Sequence, residues 1–214
     1  MFLDLQVGLL AEPLSGRRWE PADVAREVAL RVARFQRHGL TRGDRVFLPF
    51  GNRLEFFAEL LAAWQLGACA VPIDARLTPF EVTTLVGAAQ PRMAVVDDAT
   101  DPAVLRALAE AAVPAVDTLD TGDVHARAGA SRLDDDALIL FTSGSTGTPK
   151  GVVHTHRSLR ARWVALREQL GVADFARTLC MLPTHFGHGL ICNCLFPWLS
   201  GQDLFITPPF RPDI

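Results

Sequence analysis

The chain has 214 residues, of which 49% are hydrophobic and 21% charged, the balance of a folded globular protein long enough to bury a sizeable core. A net charge of −3 gives no electrostatic basis for binding nucleic acid or an anionic membrane, and no apolar stretch approaches the roughly 18 residues of a membrane span. Met1-Phe2-Leu3-Asp4 lacks the basic start of a secretory signal, and four cysteines do not make a disulfide scaffold, so a cytoplasmic setting is expected.

In chain order, residues 21–38 place Val24, Val28, Val32 and Phe35 on one helical face, and Gly39 supplies a stop. An apolar strand follows at Arg45–Pro49. A second helix over 53–66 carries Phe57, Leu60, Leu61 and Trp64 at core spacing, and Cys69–Ile73 reads as a buried strand. Thr78-Pro79-Phe80-Glu81 is a helix start, with threonine at the N-cap, proline in the first turn and glutamate at the capping-box position.

Met93–Val96 predicts a third strand, Ala103–Ala112 a helix, and Val113–Val116 a short strand. Residues 117–136 are expected to form a surface connection that ends in the acidic run Asp134-Asp135-Asp136, read as a solvated loop. The strand Ala137–Phe141 leads into a glycine-rich loop, followed by a helix from His156 to Leu170 with Leu159, Trp163, Leu166 and Leu170 in one stripe. Thr178–Leu182, an amphipathic segment at 188–199 and Asp203–Ile206 continue the pattern. Such alternation predicts an α/β fold with a largely parallel sheet and flanking helices.

The loop Thr142-Ser143-Gly144-Ser145-Thr146-Gly147-Thr148-Pro149-Lys150-Gly151 concentrates the chemistry. Its glycines let backbone N–H groups approach an anion, its hydroxyls add small donors, and Lys150 adds a compact mobile charge. Lys150 is the only lysine among 21 basic residues. Coding bias toward arginine explains the other 20, and a lysine retained under that bias does something a guanidinium cannot. The pattern is not a Walker A loop, which needs glycine before the lysine and serine or threonine after it. A flexible linker is the alternative, but linkers seldom follow an apolar strand. A second constellation, His185, His188, Cys192 and Cys194, spans ten residues, but its spacing fits no common zinc pattern, and Cys192 and Cys194 would face opposite ways on a helix.

Phe141 through Val152, continuing over His154-Thr155-His156-Arg157-Ser158-Leu159, resembles the signature of the adenylate-forming superfamily of acyl- and aryl-CoA synthetases, peptide-synthetase adenylation domains and luciferases. Leu61–Asp74 resembles the family's upstream helix–strand segment, and Leu182–Leu190 the segment that opens its acid pocket. The resemblance implies the N-terminal portion of the acetyl-CoA-synthetase-like large domain over residues 1–214. The phosphate loop would be 142–151, the acid-pocket segment 182–199, and the C-terminal lid domain would be absent.

The implied reaction uses ATP and Mg²⁺ to turn a carboxylic acid into an acyl-adenylate, which then passes to CoA or a carrier-protein thiol. Thr142, Ser143, Gly144, Ser145, Thr146, Gly147 and Lys150 would hold the phosphates. Phe186 would be the gating aromatic and His188 the second histidine, with His185 as the alternative gate.

The family's later motifs, for adenine, ribose and magnesium, are not found after Gly151. Thr121-Gly122-Asp123 imitates the ribose motif but precedes the loop and reads as a coincidental turn. The family also uses a second lysine from the lid domain, and this chain has none to give. The end at Pro208-Pro209-Phe210-Arg211-Pro212 reads as cut, so an incomplete site is expected, completed by further sequence or by a second chain. Poor solubility or self-association follows from that reading. The alternative is a non-catalytic relative that binds nucleotide or serves as a scaffold for a full-length ligase.

Overall fold

Strands of four or so apolar residues alternate with helices along the chain, and pairing them builds two sheets around one central helix. The computed structural model describes residues 6–120, 131–142 and 149–209. The elements are β1 (Leu10–Glu12), β2 (Arg17–Trp19), α1 (Pro21–Arg37), β3 (Arg45–Leu48), α2 (Leu54–Gln65), β4 (Cys69–Pro72), α3 (Pro79–Ala89) and β5 (Met93–Val96). They continue with α4 (Pro102–Glu110), β6 (Ala115–Asp117), β7 (Asp136–Thr142), β8 (Lys150–Thr155), α5 (His156–Leu170), β9 (Arg177–Cys180), a π-helix at His188–Leu195, and β10 (Asp203–Ile206).

The larger sheet has the order β6-β5-β3-β4-β7-β8, parallel throughout except for β8, which runs antiparallel to β7. Period-two alternation sends its side chains to two cores. Val46, Leu48, Ala70, Met93, Val95, Leu138 and Leu140 face α1 and α2. Phe47, Cys69, Val71, Ala94, Val96 and Ile139 face α3 and α4. The parallel α/β expectation thus holds, with helices on both faces.

A second, four-stranded sheet has the order β2-β1-β10-β9 and shares the first core through Leu10, Leu204, Ile206 and Cys180. Helix α2 therefore lies between two sheets, and Leu54 through Trp64 are almost all buried. Each fully buried Leu or Phe of this helix contributes roughly 1.5–3 kcal/mol. Toward α1 and the end of β6, the middle of α2 carries Glu59, a wholly buried carboxylate. It accepts from Arg31 Nε at 3.0 Å, from Thr118 Oγ1 at 2.9 Å and from Arg34.

Several local expectations are corrected. β8 is a strand where the sequence suggested only a loop running to His156. Its Val152 and Val153 are 45% and 49% exposed on the sheet edge, so it has no buried face to produce alternation. The three-residue strands β1 and β2 are too short for any period. The connection expected at 117–136 begins later, since Asp117 ends β6 and Thr118 is buried against Glu59. The acidic run is only partly solvated: Asp134 is exposed beside Arg157, but the Asp135 carboxylate accepts from Arg42 Nε at 2.8 Å and from the Arg132 amide at 2.8 Å. The capping box is present as expected, with Thr78 N donating to Glu81 at 2.8 Å. Thr121-Gly122-Asp123 lies outside the described residues.

Candidate active site

In a parallel sheet the strands' carboxyl ends open onto the crevice where ligands bind. Here the carboxyl ends of β4 and β7 and the loop after β9 converge on such a crevice. A cleft of ≈ 390 Å³ is lined by Ile73, Asp74, Phe141, Thr142, His185 and Phe186 among others. A neighbouring 200 Å³ recess shares Asp74 and His185 and continues to Asn52, Arg76 and Thr184.

The hairpin β7–β8 carries the candidate phosphate loop. Thr142 ends β7 directly opposite Lys150, the first residue of β8, and Thr142 Oγ1 donates to the Lys150 carbonyl at 3.4 Å. Both side chains are exposed at the cleft end of the hairpin. Ser143, Gly144, Ser145, Thr146 and Gly147 lie outside the described residues. Gly151 is required by a close approach, because a Cβ there would stand 2.9 Å from Ile139 Cγ2 and 3.3 Å from the Phe141 ring.

The hairpin is braced from beneath by α2. Trp64 Nε1 donates to the Ala137 carbonyl at 2.6 Å at the start of β7, and the Trp64 ring meets His156 edge-on at 5.3 Å where β8 turns into α5. His156 is 1% exposed, and neither ring nitrogen has a hydrogen-bond partner among the described residues. Burial holds its pKa down at about 4, against a partial upward pull from Asp135.

On the opposite wall, the His185 and Phe186 rings lie 4.4 Å apart, and His185 Nε2 is 3.6 Å from Asp74 Oδ2. Burial depresses the His185 pKa, with Asp74 pulling it up and Arg76 pushing it further down. Burial pushes Asp74 up, but hydrogen bonds from the Arg76 side chain and amide outweigh that and hold its carboxyl below the ordinary range.

The structure therefore brings Thr142, His185 and Phe186 onto one cleft, with Lys150 across the hairpin end. His188 is exposed at the first residue of the π-helix and does not line the cleft. On that π-helix Cys194 is buried and Cys192 half-buried, and among the described residues no group of three or more His, Cys, Asp or Glu could hold a metal.

Two features of the site were not read from sequence. Asp74 and Arg76 form a charged pair on the cleft wall, signalled only by an acidic and a basic residue just beyond a buried strand. The Gly51–Asn52 turn after β3 grips the segment Leu182–Thr184 through the Asn52 side chain, a long-range contact with no local signal.

The sequence profile describing the AMP-binding enzyme family matches residues 15–214. The chain belongs to that family. This AMP-binding chain is 30% identical over 183 residues to the long-chain-fatty-acid–CoA ligase FadD13 of Mycobacterium tuberculosis, covering 80% of this chain and 36% of that protein. The fold matches the inhibitor-bound N-terminal domain of FACL13 from Mycobacterium tuberculosis with a TM-score of 0.85 at 27% identity, over 96% of this chain and 54% of that one. It also matches ATP-bound MatB from Rhodopseudomonas palustris with a TM-score of 0.83 at 21% identity, over 98% of this chain and 44% of that one, which bears on fold alone. The chain spans about a third of the length of the curated ligase it resembles. No helix among the described residues is long and apolar enough to cross a membrane.

Proposed function

We propose that this chain supplies the phosphate-binding and acid-facing walls of a site that activates a carboxylic acid with ATP. The observation that carries the reading is the single lysine, Lys150, set opposite Thr142 at the mouth of a cleft whose other wall is His185 and Phe186. In the reaction, a carboxylate oxygen bonds to the α-phosphorus of ATP and the bond to the β-phosphate oxygen breaks, giving acyl-adenylate and pyrophosphate. Donors held at the departing phosphates stabilise the charge that develops there. Residues 142–151 take that role, and the acyl group then passes to a thiol, CoA or the phosphopantetheine of a carrier protein.

Mg²⁺ fits this cleft as a guest of the nucleotide rather than of a protein cage. Thr142 offers one hydroxyl, while the Asp74 and Glu81 carboxylates on the same cleft are engaged by Arg76 and Thr78. Bound with ATP, it would share the phosphate charge. His185 and Phe186 are assigned to the acid side, with His188 beside that segment. The setting is cytoplasmic, in keeping with buried free thiols at Cys69, Cys180 and Cys194.

Because the chain spans a minority of its relatives' length and has one lysine, acid activation requires further sequence or a second chain to complete the site. Residues 1–214 are taken as the N-terminal part of that adenylation domain. The single lysine also favours a second reading, a nucleotide-binding scaffold for a full-length ligase. Calorimetric titration with ATP and Mg²⁺, wild type against Lys150→Ala, tests the phosphate assignment. Equal affinity in the two proteins refutes it. Acid-dependent pyrophosphate exchange on adding the completing part separates catalyst from scaffold, and its absence favours the scaffold.

A further inference from the structure

The two walls of the cleft belong to different sheets, and one side chain joins them. Asn52 follows β3 of the larger sheet and is only 5% exposed. Its Nδ2 donates to the Leu182 carbonyl at 3.0 Å, beyond β9, and to the Thr207 carbonyl at 2.8 Å, beyond β10, while its Oδ1 accepts from the Thr184 amide at 3.1 Å. All the side chain's strong hydrogen-bonding thus goes to the smaller sheet's strand ends. Its backbone sits at φ 51°, a left-handed conformation that asparagine tolerates better than most residues. Gly51 permits the approach, since a Cβ there would stand 2.1 Å from Thr184 Oγ1.

We infer that Gly51–Asn52 is a positioning latch for the acid-side wall. By fixing Leu182–Thr184, it places the next two residues, His185 and Phe186, against Asp74 and so sets the width of the cleft. The placement stands on hydrogen bonds between backbone and side chain and needs no ligand. Its consequence for acid selection rests on the function proposed above. Asparagine suits the post because it carries both a two-proton donor and an acceptor at one branch, whereas aspartate can accept but not donate.

Histidine-selective and amide NMR on the ligand-free chain tests the latch. In wild type the Thr184 amide is protected from hydrogen exchange. In Asn52→Gly, which suits the left-handed backbone, its protection falls by roughly tenfold, the loss of one hydrogen bond. The His185 and Phe186 ring signals move with it, whereas His38, paired with Asp120 elsewhere, keeps its own. Asn52→Asp moves His185 and Phe186 as well, by setting a carboxylate against the Leu182 and Thr207 carbonyls. His185 faces Asp74 and Arg76, so spectra are compared at one pH.

A lowered melting temperature with His185 and Phe186 unmoved overturns the latch and leaves Asn52 a stabilising residue only. An unprotected Thr184 amide in wild type overturns it without any variant. Because no nucleotide is present, failure of the Lys150→Ala titration refutes the functional reading and leaves this result standing.

Discussion

Acid should weaken this fold through His156, and the size of the effect follows from its surroundings. The imidazole is enclosed against Trp64, neither nitrogen has a hydrogen-bond partner among the described residues, and its pKa falls from 6.5 to about 4 on burial. Above pH 6.5 the ring is neutral in folded and unfolded chains, and its contribution to stability is fully present. As pH falls below that value the unfolded chain binds a proton that the folded chain refuses, so stability is lost progressively down to about pH 4. Between about pH 7.5 and pH 5 the loss from this one group is about 2 kcal/mol, approaching about 3 kcal/mol at lower pH. His154 and His185 are depressed in the same direction by burial and add to the trend. The His156 share is therefore isolated by difference, using His156→Phe, which retains an edge-on ring against Trp64 and cannot titrate. Urea unfolding of both proteins at the two pH values should show the variant gaining about 2 kcal/mol on wild type as pH falls. A gap between the two proteins that does not change with pH would refute the reasoning.

Three further outcomes are expected. Lys150→Ala should weaken ATP binding by about tenfold or more by calorimetry, the loss of one charge-assisted contact, without changing the melting temperature. Glu59→Ala leaves Arg34 in the core without its carboxylate, while Arg31 keeps Glu27 at 2.7 Å, and should cost about 3–5 kcal/mol in urea unfolding, and a cost below about 1 kcal/mol would contradict the buried-cluster description. Gly151→Ala forces a methyl group to within 2.9 Å of Ile139 and should destabilise by about 1–3 kcal/mol, read as a lower urea midpoint.

The features legible in the sequence were those whose cause is local. Helix α3 begins where Thr78 and Glu81 satisfy each other's backbone, and Gly39 and Gly67, both at φ above 70°, stop α1 and α2 as their positions suggested. The buried strands β3, β4 and β5 are short continuous apolar runs and showed as such. Thr142, His185 and Phe186, picked from motifs, line one cleft, with Lys150 opposite Thr142 across the hairpin end. What escaped notice depends on distant partners. β8 is a strand because β7 pairs with it, since its own residues keep no buried face. No local pattern marks Glu59 and Arg34 as buried, yet both are, because α1 and the end of β6 close over that face of α2. Asn52 is separated from Thr184 by 132 positions, and no local pattern marks that pairing.

One helix thereby locates both halves of the site. On one side Trp64 of α2 holds the start of β7 by its indole N–H and the β8–α5 junction by its ring, which fixes the roots of the phosphate hairpin. On the other side Phe57 of α2 packs edge-on against Trp198 at 5.3 Å, and Trp198 Nε1 donates to the Gly8 carbonyl at 3.0 Å, which ties in the smaller sheet. The distance between Lys150 and the His185–Phe186 wall is thus measured across a close-packed helix, where a change of one methylene group is felt. Truncating Trp64 or Phe57 should therefore disturb nucleotide binding and cleft geometry together with stability, although neither residue lines the cleft. A pair of sheets joined only by loops would let the two walls drift independently, and the buried α2 is what prevents it.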